Sequence, residues 1–156
     1  MFKCFPIQSK EEQREICARL GAEFRIDDLA YRVWIDEEEA GVITFCIKGK
    51  KGCLRQICFR KEKEDFEVMF ICGRACMNFM DSVGATEGYF LSPAENQERL
   101  VQALGYRKQP DGSYYLNTEG FFIEHCRKHE EKPFERIMIS KPNTYNEITG
   151  NCDFFV

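Results

Sequence analysis

The spacing of apolar positions along this chain changes several times, and each change marks an element. Phe2 to Ile7 alternates and predicts a first strand. Ser9-Lys10-Glu11-Glu12 reads as a capping box: the Ser9 hydroxyl can accept the Glu12 amide, and the Glu12 carboxylate can reach back. Ile16, Cys17 and Leu20 then follow on one helical face, and Gly21 ends that helix. Ala22 to Asp28 is poorly patterned and has room for one further helical turn. From Leu29 to Asp36 the period is two, with Tyr31, Val33 and Ile35 on one face. Gly41 to Lys48 is apolar on both faces, which predicts a central strand. Gly49-Lys50-Lys51-Gly52 is a hairpin turn into Cys53 to Arg60, the third strand of an antiparallel meander.

Phe66 to Val83 is the longest helical pattern, with Phe66, Met69, Phe70, Gly73, Cys76, Met77, Met80 and Val83 at spacings of three and four. Gly84 is its stop, and Thr86 to Leu91 predicts a strand. Ser92-Pro93-Ala94-Glu95 reads as the start of a helix: N-cap serine, proline in the first turn, glutamate at the third position. Leu100, Val101 and Leu104 form the buried stripe of that helix, and Gly105 closes it. Tyr106 to Lys108 and Ser113 to Leu116 make a last hairpin around Gln109-Pro110-Asp111-Gly112. Residues 1–116 thus read as one α/β (α+β) domain. Residues 117–156 are less regular, and their aromatic runs, Phe121-Phe122 and Phe154-Phe155, predict an extension docked on that domain or on a partner subunit.

Composition narrows the function. A chain of 156 residues that is 44% hydrophobic and 13% aromatic has a real core. Its net charge of -4 and its short, acid-interrupted basic runs argue against a nucleic-acid partner. No run approaches the ~18 apolar residues that span a bilayer, and no signal-peptide core follows Lys3, so no membrane role and a cytoplasmic location are expected. Nine scattered cysteines read as reduced core thiols, with Cys72 and Cys76 on one helical face. His125 and His129 would share a helical face, but Arg127 and Lys128 stand beside them and only Cys4 or Cys152 could complete a ligand set, so no metal is expected. Glu37-Glu38-Glu39 reads as a solvated hairpin tip.

Leu100-Val101-Gln102-Ala103-Leu104-Gly105-Tyr106, the spacing from Gly84 to Gly105 and the element order together resemble the GNAT superfamily of N-acetyltransferases. The resemblance covers roughly Met1 to Leu116. It implies a central mixed, mostly antiparallel sheet of about six to seven strands with helices on both faces. It also implies acetyl-CoA as cosubstrate in a V-shaped opening between the fourth and fifth strands. Pantetheine would pair with the fourth-strand backbone near Ile57 and Phe59. The pyrophosphate would meet the long helix at a Gln/Arg-x-x-Gly-x-Gly/Ala turn.

That turn falls on Lys63-Glu64-Asp65-Phe66-Glu67-Val68. Lys63 stands where the arginine would, and Phe66 and Val68 stand where the glycines would. The acids Glu62, Glu64, Asp65 and Glu67 stabilise the helix start themselves and repel a diphosphate. Val101 replaces a tyrosine that in many family members protonates the leaving thiolate, and valine carries no proton to give. Glu87 is a candidate base. Tyr89, Ser92, Asn96 and Tyr106 are nearby candidates to replace the missing acid, with Tyr89 taken as catalytic and Ser92 and Asn96 as coenzyme contacts. The implied activity is transfer of an acyl group from acyl-CoA to a small-molecule or protein amine, with a homodimer by analogy. The alternative is a GNAT-like body that has lost CoA binding and serves as an interaction module.

Overall fold

The computed structural model of the chain describes residues 1–122 and 137–139. The elements are β1 (Phe2–Pro6), α1 (Lys10–Leu20), β2 (Leu29–Ile35), β3 (Glu38–Lys48), β4 (Lys51–Phe59), α2 (Phe66–Ser82), β5 (Glu87–Phe90), α3 (Glu98–Leu104), β6 (Arg107–Lys108), β7 (Tyr114–Asn117) and β8 (Ile137–Ile139). Single 3-10 turns at Lys61–Lys63 and Glu95–Gln97 precede α2 and α3. The strands form one sheet in the order β6-β7-β5-β4-β3-β2-β1-β8. Among the described strands only β4–β5 and β1–β8 pair in parallel. Among the described residues β1 to β7 meet the expected six to seven strands, and β8 from the C-terminal extension adds one beside β1. His125, Cys126, His129 and Cys152 lie outside the described residues.

Helices cover both faces, as the burial of β3 on both of its sides requires. On one face α2 and α3 close over Leu54, Ile57, Phe59, Phe90 and Tyr106. On the other, α1 packs Ile16 and Cys17 on Ala30 and Val42. The cap of α1 forms as read: the Ser9 hydroxyl accepts the Glu12 amide at 3.3 Å, and Gly21 adopts φ +74°. Residues 22–28 form a loop closed by the Asp28 amide on the Arg25 carbonyl, not a helical turn.

One irregularity in β4 positions everything that follows. Thr44 pairs with Gln56 and Phe45 with Leu54, so Arg55 is an extra residue in the ladder. A bulge of this kind reverses the alternation beyond it. Before it, Gly52 and Leu54 face α2; after it, Ile57 and Phe59 do. Arg55 itself is buried and ion-paired with buried Asp28, its Nε at 2.5 Å and Nη2 at 3.1 Å from the two carboxylate oxygens. Lys10 and Gln13 of α1 donate to the Asp28 carbonyl, which fixes that loop under the bulge. Gly41 admits the Phe59 ring, which lies where a β-carbon would need to be, 2.3 Å away.

The expected solvated tip holds at the exposed Glu37 and Glu38 but not at Glu39. Asp36 and Glu37 make the turn with positive φ, while Glu39 enters β3. Its carboxylate receives Arg19, Arg32 and Arg60, with oxygen–nitrogen distances of 2.7, 2.7 and 3.0 Å. Those cations, Arg19 foremost, hold its pKa down at about 2.

Candidate functional site

The parallel pair β4–β5 registers Lys51 with Glu87 through Leu54 with Phe90. Two more main-chain bonds extend it, from the Leu91 amide to the Leu54 carbonyl and from the Ser92 amide to the Arg55 carbonyl, at 2.8 and 2.9 Å. The bulge makes this possible, because it aims two successive carbonyls at β5. Beyond Ser92 the chain leaves the sheet for the turn Glu95–Gln97, and among the described residues no further strand lies beside the β4 edge on that side.

At this point Gln97 intervenes. Its side-chain amide donates to the Ile57 carbonyl at 2.8 Å, and its oxygen accepts the Ala94 amide at 3.1 Å. Gln97 is 5% exposed. Its side chain therefore does at Ile57 what a ladder partner would do. Because N–H and C=O of one strand residue point to the same edge, the Ile57 amide faces this gap as well. Phe59, two residues on, shares that orientation.

Next to Gln97 lies a cleft of about 200 Å³ walled by Glu64, Phe66, Met69, Asn96, Arg99 and Leu100. Asn96 is exposed on its wall. Phe66 falls in the apolar spacing of α2, yet it is 39% exposed with the Arg99 guanidinium 4.3 Å above its ring. No sequence signal pointed to Arg99, because the two residues meet only when α2 and α3 pack.

The start of α2 is closed from within. Asp65 is its N-cap, and the carboxylate accepts the Val68 amide at 3.2 Å. Val68 is buried in the core. Lys63 is not at the helix start; it lies in the preceding 3-10 turn and pairs with Glu38 at 2.7 Å. Ser92 is not an N-cap either. Its amide belongs to the seam with β4, the turn begins at Ala94, and α3 begins only at Glu98.

Glu87 and Tyr89 lie on the sheet face away from α2, since their neighbours Gly88 and Phe90 are the buried ones. The Tyr89 hydroxyl donates to the Glu87 carboxylate at 3.3 Å. Desolvation, then the Glu87 charge, raises the Tyr89 pKa, so this phenol stays protonated. The Tyr115 ring stands 5.2 Å from that of Tyr89, and the Lys51 ammonium lies 5.8 Å from the Tyr89 ring. Asp111, Ser113, Gln109 and Pro110 complete a groove of about 500 Å³. Val101 and Tyr106 are buried in the core, and burial raises the Tyr106 pKa further, so neither is an accessible acid.

Among the described residues no cluster of side chains could hold a metal, and no helix is long and apolar enough to cross a membrane.

No protein-family model matches the sequence, and no curated protein sequence matches it. Solved structures do match. The Bacillus subtilis acetyltransferase in complex with CoA is 14% identical, with a TM-score of 0.56 over 70% of this chain and 78% of its own. The ribosomal-protein-S18-alanine N-acetyltransferase of Escherichia coli is 12% identical, with a TM-score of 0.55 over 74% and 89%. The IAA acetyltransferase of Bacillus cereus is 15% identical, with a TM-score of 0.58 over 70% and 79%. The fold is thus that of the GNAT N-acetyltransferases, as the order of elements implied.

Proposed function

We propose that this chain, built on the GNAT acetyltransferase fold, is an acyl-CoA-dependent N-acyltransferase with an altered coenzyme seat. One observation carries the reading: where β5 departs from β4, the Ile57 carbonyl is met by a side-chain amide instead of a strand. Pantetheine contains secondary amides, so the group now held there and the group to be bound are chemically alike. The main chain of Ile57 and Phe59 would hold the arm once Gln97 withdraws, with Asn96 on the cleft wall and Ser92 at the end of the seam as side contacts. These residues fit the group; the start of α2 does not, because Asp65 and the side chains of Phe66 and Val68 occupy it. Lys63 would have to leave Glu38 to serve.

Acyl-CoA supplies an acyl group already activated as a thioester. The protein's share is placement, which alone accounts for large accelerations. Glu87 would accept a proton shed by the acceptor nitrogen, and the protonated Tyr89 hydroxyl would hold one for return. The groove beside them has two carboxylates and two tyrosine faces, and Lys51 shows that this aromatic surface takes an ammonium. A cationic primary amine, on a small molecule or a protein, is the acceptor that suits it.

Residues 117–156 are read as an extension docked on the domain of residues 1–116, supported by β8 beside β1. Seven free cysteines among the described residues support a reducing, cytoplasmic location.

The second reading, a non-catalytic interaction module, is favoured by the closed start of α2. Thermal shift with acetyl-CoA separates the two, because ligand at 100 times its Kd adds about 2.7 kcal/mol of apparent stability. A shift accompanied by acyl transfer to primary amines supports the enzyme. No shift at millimolar acetyl-CoA, in the natural chain and in Gln97→Ala, leaves the module.

A further inference from the structure

We infer that the nucleotide phosphates of the coenzyme are read by a strip of side chains, Arg99, Arg107 and Lys108, in place of the amides at the start of α2. The inference rests on the transferase reading above and assigns its anion site. The need for another donor set follows from the Val68 amide being committed to Asp65.

Arg99 is the shared wall of two depressions. One is the cleft beside Gln97. The other, of about 420 Å³, is formed by Arg99, Gln102, Ala103, Arg107 and Lys108. The Phe66 ring supports one face of the Arg99 guanidinium, leaving its in-plane N–H edge to a ligand, the geometry that suits phosphate oxygens. Arg107 is anchored by its Nη1, which donates to the Gln102 and Tyr106 carbonyls at 3.3 and 3.1 Å, so the strip has a fixed far end. Among the described residues no carboxylate lies within ion-pair distance of any of the three cations. Glu64 stands on the cleft wall, yet three unspent cations in one strip stand out on a chain of net charge -4. A ligand with phosphates at two separated points matches one basic depression joined through Arg99 to the cleft beside Gln97. The nucleotide half of CoA, with its diphosphate and its 3′-phosphate, is such a ligand.

The test titrates the full chain by calorimetry with adenosine 3′,5′-bisphosphate, with pantetheine and with CoA. The variants are Arg99→Ala, the double Arg107→Ala/Lys108→Ala and, as a control for general charge, Lys48→Ala/Lys50→Ala. Unchanged melting temperatures verify folding. The expected result is at least a tenfold loss of bisphosphate and CoA affinity in the first two variants, with pantetheine affinity unmoved and the control unaffected. If the bisphosphate or CoA binds and both strip variants leave that affinity intact, the strip is refuted, while CoA binding keeps the transferase reading. If the strip variants lose the bisphosphate but CoA does not bind the natural chain, the strip is a general anion site, and its assignment to the coenzyme falls together with the transferase reading. If the natural chain binds none of the three, both fall.

Discussion

Gln97 occupies a position that no periodicity singles out, yet it satisfies the Ile57 carbonyl where β4 loses its strand neighbour. Gln97→Ala should leave that carbonyl buried without a donor, a cost of about 1–3 kcal/mol seen as a lower urea midpoint. The same variant should show a larger thermal shift with CoA than the natural chain. A smaller or equal shift would mean that Gln97 does not compete for the seam. Asp28 is a harsher case. Asp28→Ala strands the buried Arg55 guanidinium, and stability should fall by about 3–5 kcal/mol in urea unfolding.

Two carboxylates set opposite pH limbs. Glu39 titrates near 2 in the folded chain, below the ordinary value of about 4.3, so its contribution is complete above that value and is lost as pH falls toward 2. Burial lifts Asp81 to about 6, so its effect has the other sign: stability is lost as pH rises from about 4 through 6. Urea unfolding across pH should show Glu39→Gln flattening the acid limb. It should also show Asp81→Asn removing the loss between about pH 4 and 6 and adding about 1–2 kcal/mol at pH 7. Single-residue legibility followed locality. The burial of Val101 and Tyr106 was readable from their helix and its end. Glu39 was misjudged because its arginines come from α1, β2 and the end of β4.

Elements were read well where their signals are local, and the two helix starts show the limit. Asp65 and the glutamates around it announce a self-capped α2, and the structure has that cap. Ser92-Pro93 announces a cap equally clearly, yet the Ser92 amide is taken by Arg55 across the sheet, which delays α3 to Glu98. A tertiary hydrogen bond overrode a local preference. Replacing Phe66 and Val68 by glycine tests the α2 start as a blocked cradle: if side chains are the obstacle, CoA affinity should appear or rise. Because Val68 is buried, the variant should also lose stability, and its circular dichroism must remain native for the comparison to count. A folded double variant that still ignores CoA would show that backbone access is not the missing feature.

At the scale of the molecule, the sheet order and the helices on both faces followed from element order, but β8 did not. Its three residues sit in an irregular stretch and pair in parallel with the first strand, a contact far beyond the reach of any local pattern. Ending the chain after Phe122 would uncover the outer edge of β1. The shortened protein should unfold at lower urea and self-associate in sedimentation, as exposed edges do; unchanged behaviour would mean that the extension contributes little to the body.

The extra residue at Arg55 limits how this gene can drift. Deleting one codon between Leu54 and Gln56 would restore a regular ladder and leave Ile57 and Phe59 in register with Ile43 and Gly41, but it would remove the carbonyl that receives the Ser92 amide and strand the buried Asp28 carboxylate. A side-chain substitution at that position keeps the main-chain bond from the Ser92 amide, whereas a one-residue shortening removes it and loosens the place where β5 parts from β4. Length at that spot, more than spelling, is what descent has to preserve.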